Sequence, residues 1–226
     1  FMEVKAAHEP SMVTGFIRLN GSTVGCVANR TVSYDENGEK KAEYEAVLTS
    51  RGCRKAADFV SFCDAFNIPI LTLVNVKGYK ADKCSEKNMA KAAAKLTYAF
   101  ANASVPKVTV IVGQAYGTAY LTMASKAIGA DMVYAWPGTS IGMMDSKAAA
   151  KIMYADEIAK ADNAVALIDE KAAEYQKLQS SPEAAARRGY VDDIIEAEDT
   201  RQRVIAAFEM LFTKREDRPD KKHGTV

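Results

Sequence analysis

Two apolar runs, IPILTLVNV at residues 68–76 and KVTVIV at 107–112, are continuous rather than alternating. A strand with one wet face alternates apolar and polar side chains, so runs of this kind belong to central parallel strands buried on both faces. Parallel neighbours need a crossover, and SEKNMAKAAAKLTYAFANA, which lies between the runs, has helical character. A further strand, DMVYAWP, follows a helix AYLTMASKAIG, giving a βαβαβ order with right-handed crossovers and a mostly parallel sheet.

The flanking segments extend this α/β pattern. TGFIRLNGSTVGCVANR carries alternating apolar residues on both sides of Asn20-Gly21, a hairpin signal, so an antiparallel hairpin opens the fold. SRGCRKAADFVSFCDAFN sets Ala56, Phe59, Val60 and Cys63 on one helical face. Residues 146–186 are rich in Ala, Lys, Glu and Ile, with Pro182 marking a fresh helix start; these helices are expected to cover the sheet or a partner chain. GYVDDIIEAEDTRQRVIAAFEML predicts a short strand and a last helix capped by Asp199-Thr200. The ending TKREDRPDKKHGTV is charged and is expected to be mobile. With 48% hydrophobic residues, the 226-residue chain can bury one large core, so 1–226 is expected to form a single domain, with a lead-in over 1–12 and a charged tail over 213–226.

Charge says little about partners. A balance of 30 basic and 29 acidic residues gives no footprint for nucleic acid or a polyanion. No apolar run approaches the roughly 20 residues needed to span a bilayer. Cys26, Cys53, Cys63 and Cys84 lack metal-ligand spacing and follow no signal peptide, which predicts reduced thiols in a soluble, cytoplasmic protein without a metal site.

Common catalytic signatures are missing. A serine hydrolase needs serine, histidine and an acid to converge; Ser125 follows the Gly117 turn, but His8 and His223 lie near the two ends. Asp145, Asp156, Glu157 and Asp162 have the spacing of a solvated helix face. There is no phosphate-binding Gly-rich motif and no Met-Lys-Met triplet for attached biotin.

Two small-residue turns are left. Gly78-Tyr79 closes one central strand and Gly117-Thr118-Ala119 closes another. Ligands in α/β sheets sit beyond the carboxyl ends of the strands, so both turns should face one crevice, and the N–H groups of a helix start are suited to an anionic oxygen. Easing helix–sheet packing is the alternative use of such residues.

The segments GFIRLNGSTVGCVANR, KAADFVSFCDAFNIPILTLVNVKGY, ASVPKVTVIVGQAYGTAYLTMASK, YAWP, RGYVDDIIEAEDTR and KKHGTV, in this order across Phe1 to Val226, resemble the carboxyltransferase family of biotin-dependent acyl-CoA carboxylases and decarboxylases. The resemblance is to the second, carboxybiotin-side half of a full-length member. It implies a crotonase/ClpP-like ββα superhelix, with a mostly parallel central sheet flanked by helices. It also implies biotin as cofactor on a separate biotin carboxyl carrier protein, an acyl-CoA substrate, and an acyl-CoA-binding first half from another polypeptide or a missing segment. The assembly would be a homo- or hetero-oligomer, cytoplasmic or, for a decarboxylase, peripheral on a membrane-bound pump. Phe1 in place of an initiator methionine fits a tag remnant or an excised domain.

Residue by residue, the family's Ala-Tyr-Gly-Gly-Ala-Tyr turn falls on Ala115 to Tyr120. The resemblance therefore implies an oxyanion hole from the backbone N–H groups of Thr118 and Ala119. It implies a biotin pocket shaped by Gly78, Tyr79, Tyr116, Gly117 and Tyr120, and a link between Leu121 and acyl-group size. The chain departs from the family at Thr118, where a second glycine is usual. Further departures are Val76-Lys77-Gly78-Tyr79-Lys80-Ala81-Asp82, for Val-Pro-Gly-Phe-x-Pro-Gly, and Met144-Asp145, for Met-Gly. Two rival readings stay open: an assembly subunit that has lost the chemistry, and a stand-alone crotonase-like enzyme acting on acyl-CoA without biotin.

Overall fold

The computed structural model describes residues 1–216; of Cys84, only the backbone is described. Among the described residues the central sheet has eight strands, in the order Met2–Glu3, Met12–Leu19, Ser22–Asn29, Ile70–Val76, Lys107–Tyr116, Met132–Ala135 and Asp193–Ile194, with Ser140–Gly142 added to the far end of Lys107–Tyr116. The first two pairings are antiparallel and all later ones parallel, as expected.

The opening hairpin turns on Asn20 and Gly21, with φ of 47° and 81°. Positive φ at both central residues is what a type I′ two-residue turn demands. The expected lead-in contributes an edge strand, since Met2 and Glu3 pair with Phe16 and Gly15.

Both central runs are buried on two faces. Ile70, Val74 and Ile111 pack toward helices Ser50–Ala65 and Lys83–Asn102, where Phe59, Val60, Leu96 and Phe100 meet them. Leu71, Val108 and Val110 point the other way, onto Val204 and Ala207 of the last helix, Thr200–Met210. Each fully buried side chain of this size contributes roughly 1.5–3 kcal/mol, so the sheet needs both layers. Lys107 is buried, and its Nζ donates to the Phe100 and Ala103 carbonyls at 2.9 and 2.8 Å, closing the end of the crossover helix.

Several details differ from the sequence expectation. The helix after Gly117 is only six residues long, Gly117–Thr122; Ala124 adopts φ 54°, and a single 3-10 turn, Lys126–Ile128, follows. Thr109 Oγ1 donates to the Ala124 carbonyl at 2.7 Å, holding the break against the sheet. Asp199 makes no side-chain cap on the last helix. Its neighbour Thr200 instead accepts from the Trp136 indole N–H at 2.8 Å, the partner a half-buried indole requires.

Residues 146–187 form helices Ser146–Met153, Ala155–Lys160 and Ala164–Tyr175, a π-helical turn Gln176–Ser180, and helix Pro182–Arg187. The last two touch the sheet. The earlier helices leave Ile152, Met153 and Val165 exposed. The charged end begins anchored, because Lys214 Nζ binds Asp131 at 2.9 Å and the Val105 carbonyl at 3.2 Å. Residues 217–226, which include His223, lie outside the described residues. No helix among the described residues is long and apolar enough to cross a membrane.

Candidate active site

The two turns singled out in the sequence come together at the carboxyl ends of neighbouring strands. Strand Ile70–Val76 leads into the short strand Gly78–Tyr79, which pairs in parallel with Val47–Leu48. Strand Lys107–Tyr116 runs directly into helix Gly117–Thr122, and this helix packs on Gly78–Tyr79. A polar staple ties the strand ends behind them: Asn75 N–H donates to Asn29 Oδ1 at 2.9 Å, Asn29 Nδ2 returns to the Asn75 carbonyl, and the Gln114 N–H donates to Asn75 Oδ1 at 3.0 Å.

The two glycines differ in what surrounds them. Gly117 has φ of +59°, and a Cβ there would lie 3.0 Å from the Met143 carbonyl oxygen. Both the left-handed backbone and the close approach disfavour a side chain. A Cβ on Gly78 would meet nothing within 4 Å. Packing inside the chain therefore gives no reason for glycine at 78, whereas the approach of a ligand would.

The start of Gly117–Thr122 leaves the Gly117, Thr118 and Ala119 N–H groups without intrahelical acceptors, and Tyr116 supplies no side-chain cap. Ala119 is buried and Thr118 exposed, so the β-branched side chain that replaces the family's glycine stands at the surface. Leu121, on the same helix, is 38% exposed.

Tyr116 and Tyr120 differ from this open group. Both side chains are buried. Burial pushes the Tyr116 hydroxyl above its usual range, while a hydrogen bond with Ser140 pulls it back. The Tyr120 hydroxyl is shut off from solvent and has no hydrogen-bond partner among the described residues; burial, reinforced by Asp192, raises its pKa strongly. Their side chains support the turn from inside, while Gly78, Gly117, Thr118 and Leu121 form its outer surface.

Among the described residues, other chemistries find no support in the geometry. The Ser125 hydroxyl is buried and donates to the Leu121 carbonyl at 3.2 Å, and His8 is exposed near the amino terminus. Asp145 accepts from the Ala148 N–H at 3.2 Å as the N-cap of Ser146–Met153. Asp82 does the same for Lys83–Asn102, accepting from Ser85 N–H at 2.7 Å. Two of the chain's departures from the family pattern are thus helix caps. No group of three metal-ligating side chains is found among the described residues.

Cys26, Cys53 and Cys63 are free and buried, each with its thiol pushed to about 12 by burial; the Cys84 side chain lies outside the described residues. A hollow of about 850 Å³ lies at the opposite ends of the strands, beside Pro69, Pro106 and Phe208. Its distance from both turns separates it from the candidate site. Sequence reasoning missed strand Ser140–Gly142 and the π-turn behind it, both of which back the Gly117 turn. Gly142 was the available signal, and the π-turn left none.

The whole of residues 1–226 matches the family described as the carboxyl transferase domain. The chain belongs to that family. It is 42% identical over 225 residues to the methylmalonyl-CoA carboxyltransferase 12S subunit of Propionibacterium freudenreichii subsp. shermanii, a match covering 99% of this chain and 41% of that protein. It is 43% identical over 227 residues to a propionyl-CoA carboxylase carboxyltransferase subunit of Haloferax mediterranei, covering 100% of this chain and 42% of the relative. A crystal structure of transcarboxylase 12S, described as a hexamer assembly with methylmalonyl-coenzyme A and methylmalonic acid bound, superposes with a TM-score of 0.90 at 42% identity, over 99% of this chain and 41% of that one. The crotonase-like fold expected from the sequence is therefore the observed one. This carboxyl transferase domain spans about two fifths of the length of these relatives.

Proposed function

We propose that this chain is the biotin-side half of a carboxyltransferase, moving a carboxyl group between biotin on a separate carrier protein and an acyl-CoA held by a companion acyl-CoA-binding polypeptide. The carrying observation is the meeting of the Gly78 and Gly117 turns at the carboxyl ends of adjacent strands, on an open face. A Cβ on Gly78 would meet nothing within 4 Å, so this face is open to a ureido ring, and the Gly117 turn offers backbone donors for a carbonyl oxygen.

Biotin, when bound, supplies a ureido nitrogen that gives or takes the carboxyl group, and its N–H proton is exchanged for that group with the acyl α-carbon. The residues of this chain carry the electrostatics. The Thr118 and Ala119 N–H groups would donate to the ureido oxygen, where negative charge would accumulate as the N–C bond forms or breaks. Because these donors are fixed by the strand-to-helix turn, they need little rearrangement as charge builds. Losing one such donor costs about 3 kcal/mol of barrier, roughly a hundredfold in rate. Gly78 and Tyr79, on which this helix packs, would line the biotin pocket, and the exposed Leu121 would bear on the size of the acyl group. No histidine base is needed, in keeping with the position of His8.

The caps formed by Asp82 and Asp145 favour an active half over an inactive assembly subunit, since those departures have a structural explanation. The test is CO₂ release from malonyl-, methylmalonyl- and glutaconyl-CoA with free biotin, by this chain alone and mixed with a first-half polypeptide. Activity is expected only in the mixture and only with biotin. Silence from a complex shown to assemble would overturn the proposal, and biotin-independent turnover by the chain alone would favour a stand-alone enzyme.

A further inference from the structure

The π-helical turn Gln176–Ser180 continues helix Ala164–Tyr175 and packs on strand Ser140–Gly142. Such turns are rare and recur at functional sites. Here it makes two side-chain contacts with one short strand. Gln176 Nε2 donates to Ser140 Oγ at 2.8 Å, while Gln176 Oε1 accepts from Ser146 Oγ at 3.3 Å. At the strand's other end, a Cβ on Gly142 would lie 2.9 Å from Ser180 Oγ. Ser180 is 1% exposed, and its hydroxyl has no hydrogen-bond partner among the described residues.

The strand it holds leads to the candidate site. Ser140, Ile141 and Gly142 pair with Gln114, Ala115 and Tyr116, and the next residue, Met143, places its carbonyl against Gly117. We propose that the Gln176–Ser180 turn is a positioning element: through Gln176 and Ser180 it fixes Ser140–Gly142, and through Met143 it sets the aim of the Gly117-Thr118-Ala119 turn. This inference rests on the assignment of that turn to the biotin side. Neither Gln176 nor Ser180 touches the reacting atoms. Their role is to keep the donors in register, where a misplacement of about 1 Å can cost a hundredfold in rate.

The experiment uses the full chain and three variants: Gly142→Ala, Gly142→Ala with Ser180→Gly, and Gln176→Leu. The first readout, amide hydrogen exchange of the chain by itself, does not depend on activity. Gly142→Ala should force the strand from Ser180 and speed exchange at 114–116 and 140–142 by about tenfold, leaving the Ile70–Val76 ladder unchanged. Removing the Ser180 side chain makes room for the new methyl and should restore the native rate, a coupling expected only for groups in contact. Gln176→Leu should give a several-fold effect of the same kind. The second readout, with the first-half polypeptide, is a fall of about tenfold in kcat/KM for free biotin, with the KM for acyl-CoA unchanged, and the same rescue by Ser180→Gly.

Unchanged exchange in Gly142→Ala, or no rescue, would overturn the positioning role. So would altered and rescued exchange with an unaltered kcat/KM for biotin. If the wild-type pair transfers no carboxyl group although exchange responds and is rescued, the assignment of the turn to biotin falls while the mechanical link from the π-turn to strand 114–116 stands.

Discussion

The carbonyl oxygen of Met143 lies 3.0 Å from the point a Cβ on Gly117 would occupy. Two strand ends thus meet at one backbone position that favours glycine, and the helix that follows presents its first N–H groups beside it. This contact joins the sheet, the Ser140–Gly142 strand and the proposed oxyanion hole into one unit.

Gly117→Ala should therefore damage stability and activity together. The left-handed backbone costs an alanine roughly 1–2 kcal/mol, before any displacement of Met143. Urea unfolding should show a loss of at least that size, and carboxyl transfer with the first-half polypeptide should fall by about a hundredfold or more as the donors move. A variant of wild-type stability and full activity would remove the reason given for this glycine.

Gly78→Ala separates the two effects. Because a Cβ there would meet nothing within 4 Å, unfolding free energy should stay within about 0.5 kcal/mol of the parent. The same methyl would project into the space assigned to biotin, so the KM for free biotin should rise while that for acyl-CoA is unchanged. An unchanged biotin KM would show that the open space beside Gly78 is not used.

The helix caps give a prediction about the departures from the family pattern. Asp82→Ala removes the acceptor for the Ser85 N–H and should cost about 1 kcal/mol of stability, measured by thermal or urea unfolding, without lowering kcat. Asp145→Gly, which restores the usual family residue, should cost only a few tenths of a kcal/mol. A large gain of activity from Asp145→Gly would instead mean that the aspartate impairs the site.

The layers of this fold were legible because their signals are local. Uninterrupted apolar runs marked the central strands, and Asn20-Gly21 marked the hairpin. Gly117 was legible as a turn, but the reason for it, a carbonyl arriving from Met143, depends on tertiary contact. The break at Ala124, the pairing of Val47–Leu48 with Gly78–Tyr79, and the π-turn at Gln176 were not legible. Each is settled by a hydrogen bond or close approach between segments far apart in sequence. Asp199-Thr200 illustrates the same limit: the residue types suit a cap, yet Thr200 is taken by the Trp136 indole.

The buried thiols give a pH prediction whose sign follows from which state binds the proton more tightly. Cys26, Cys53 and Cys63 rise from an ordinary 9.0 to about 12 in the folded chain, with burial as the main cause. Between those values the folded state holds protons that the unfolded state has released. Their contribution to stability is therefore complete below about pH 9 and is lost as pH climbs toward 12. The native thiols are also poor nucleophiles at pH 8, because the thiolate is the reactive form and the groups are enclosed. Iodoacetamide at pH 8, followed by peptide mass spectrometry, should label Cys26, Cys53 and Cys63 slowly in the folded chain and rapidly in denaturant. Urea midpoints should fall between pH 9 and 10.5. Fast labelling of any of the three in the native chain would show that its pocket opens, and a flat midpoint would show that the thiols do not contribute to the pH dependence.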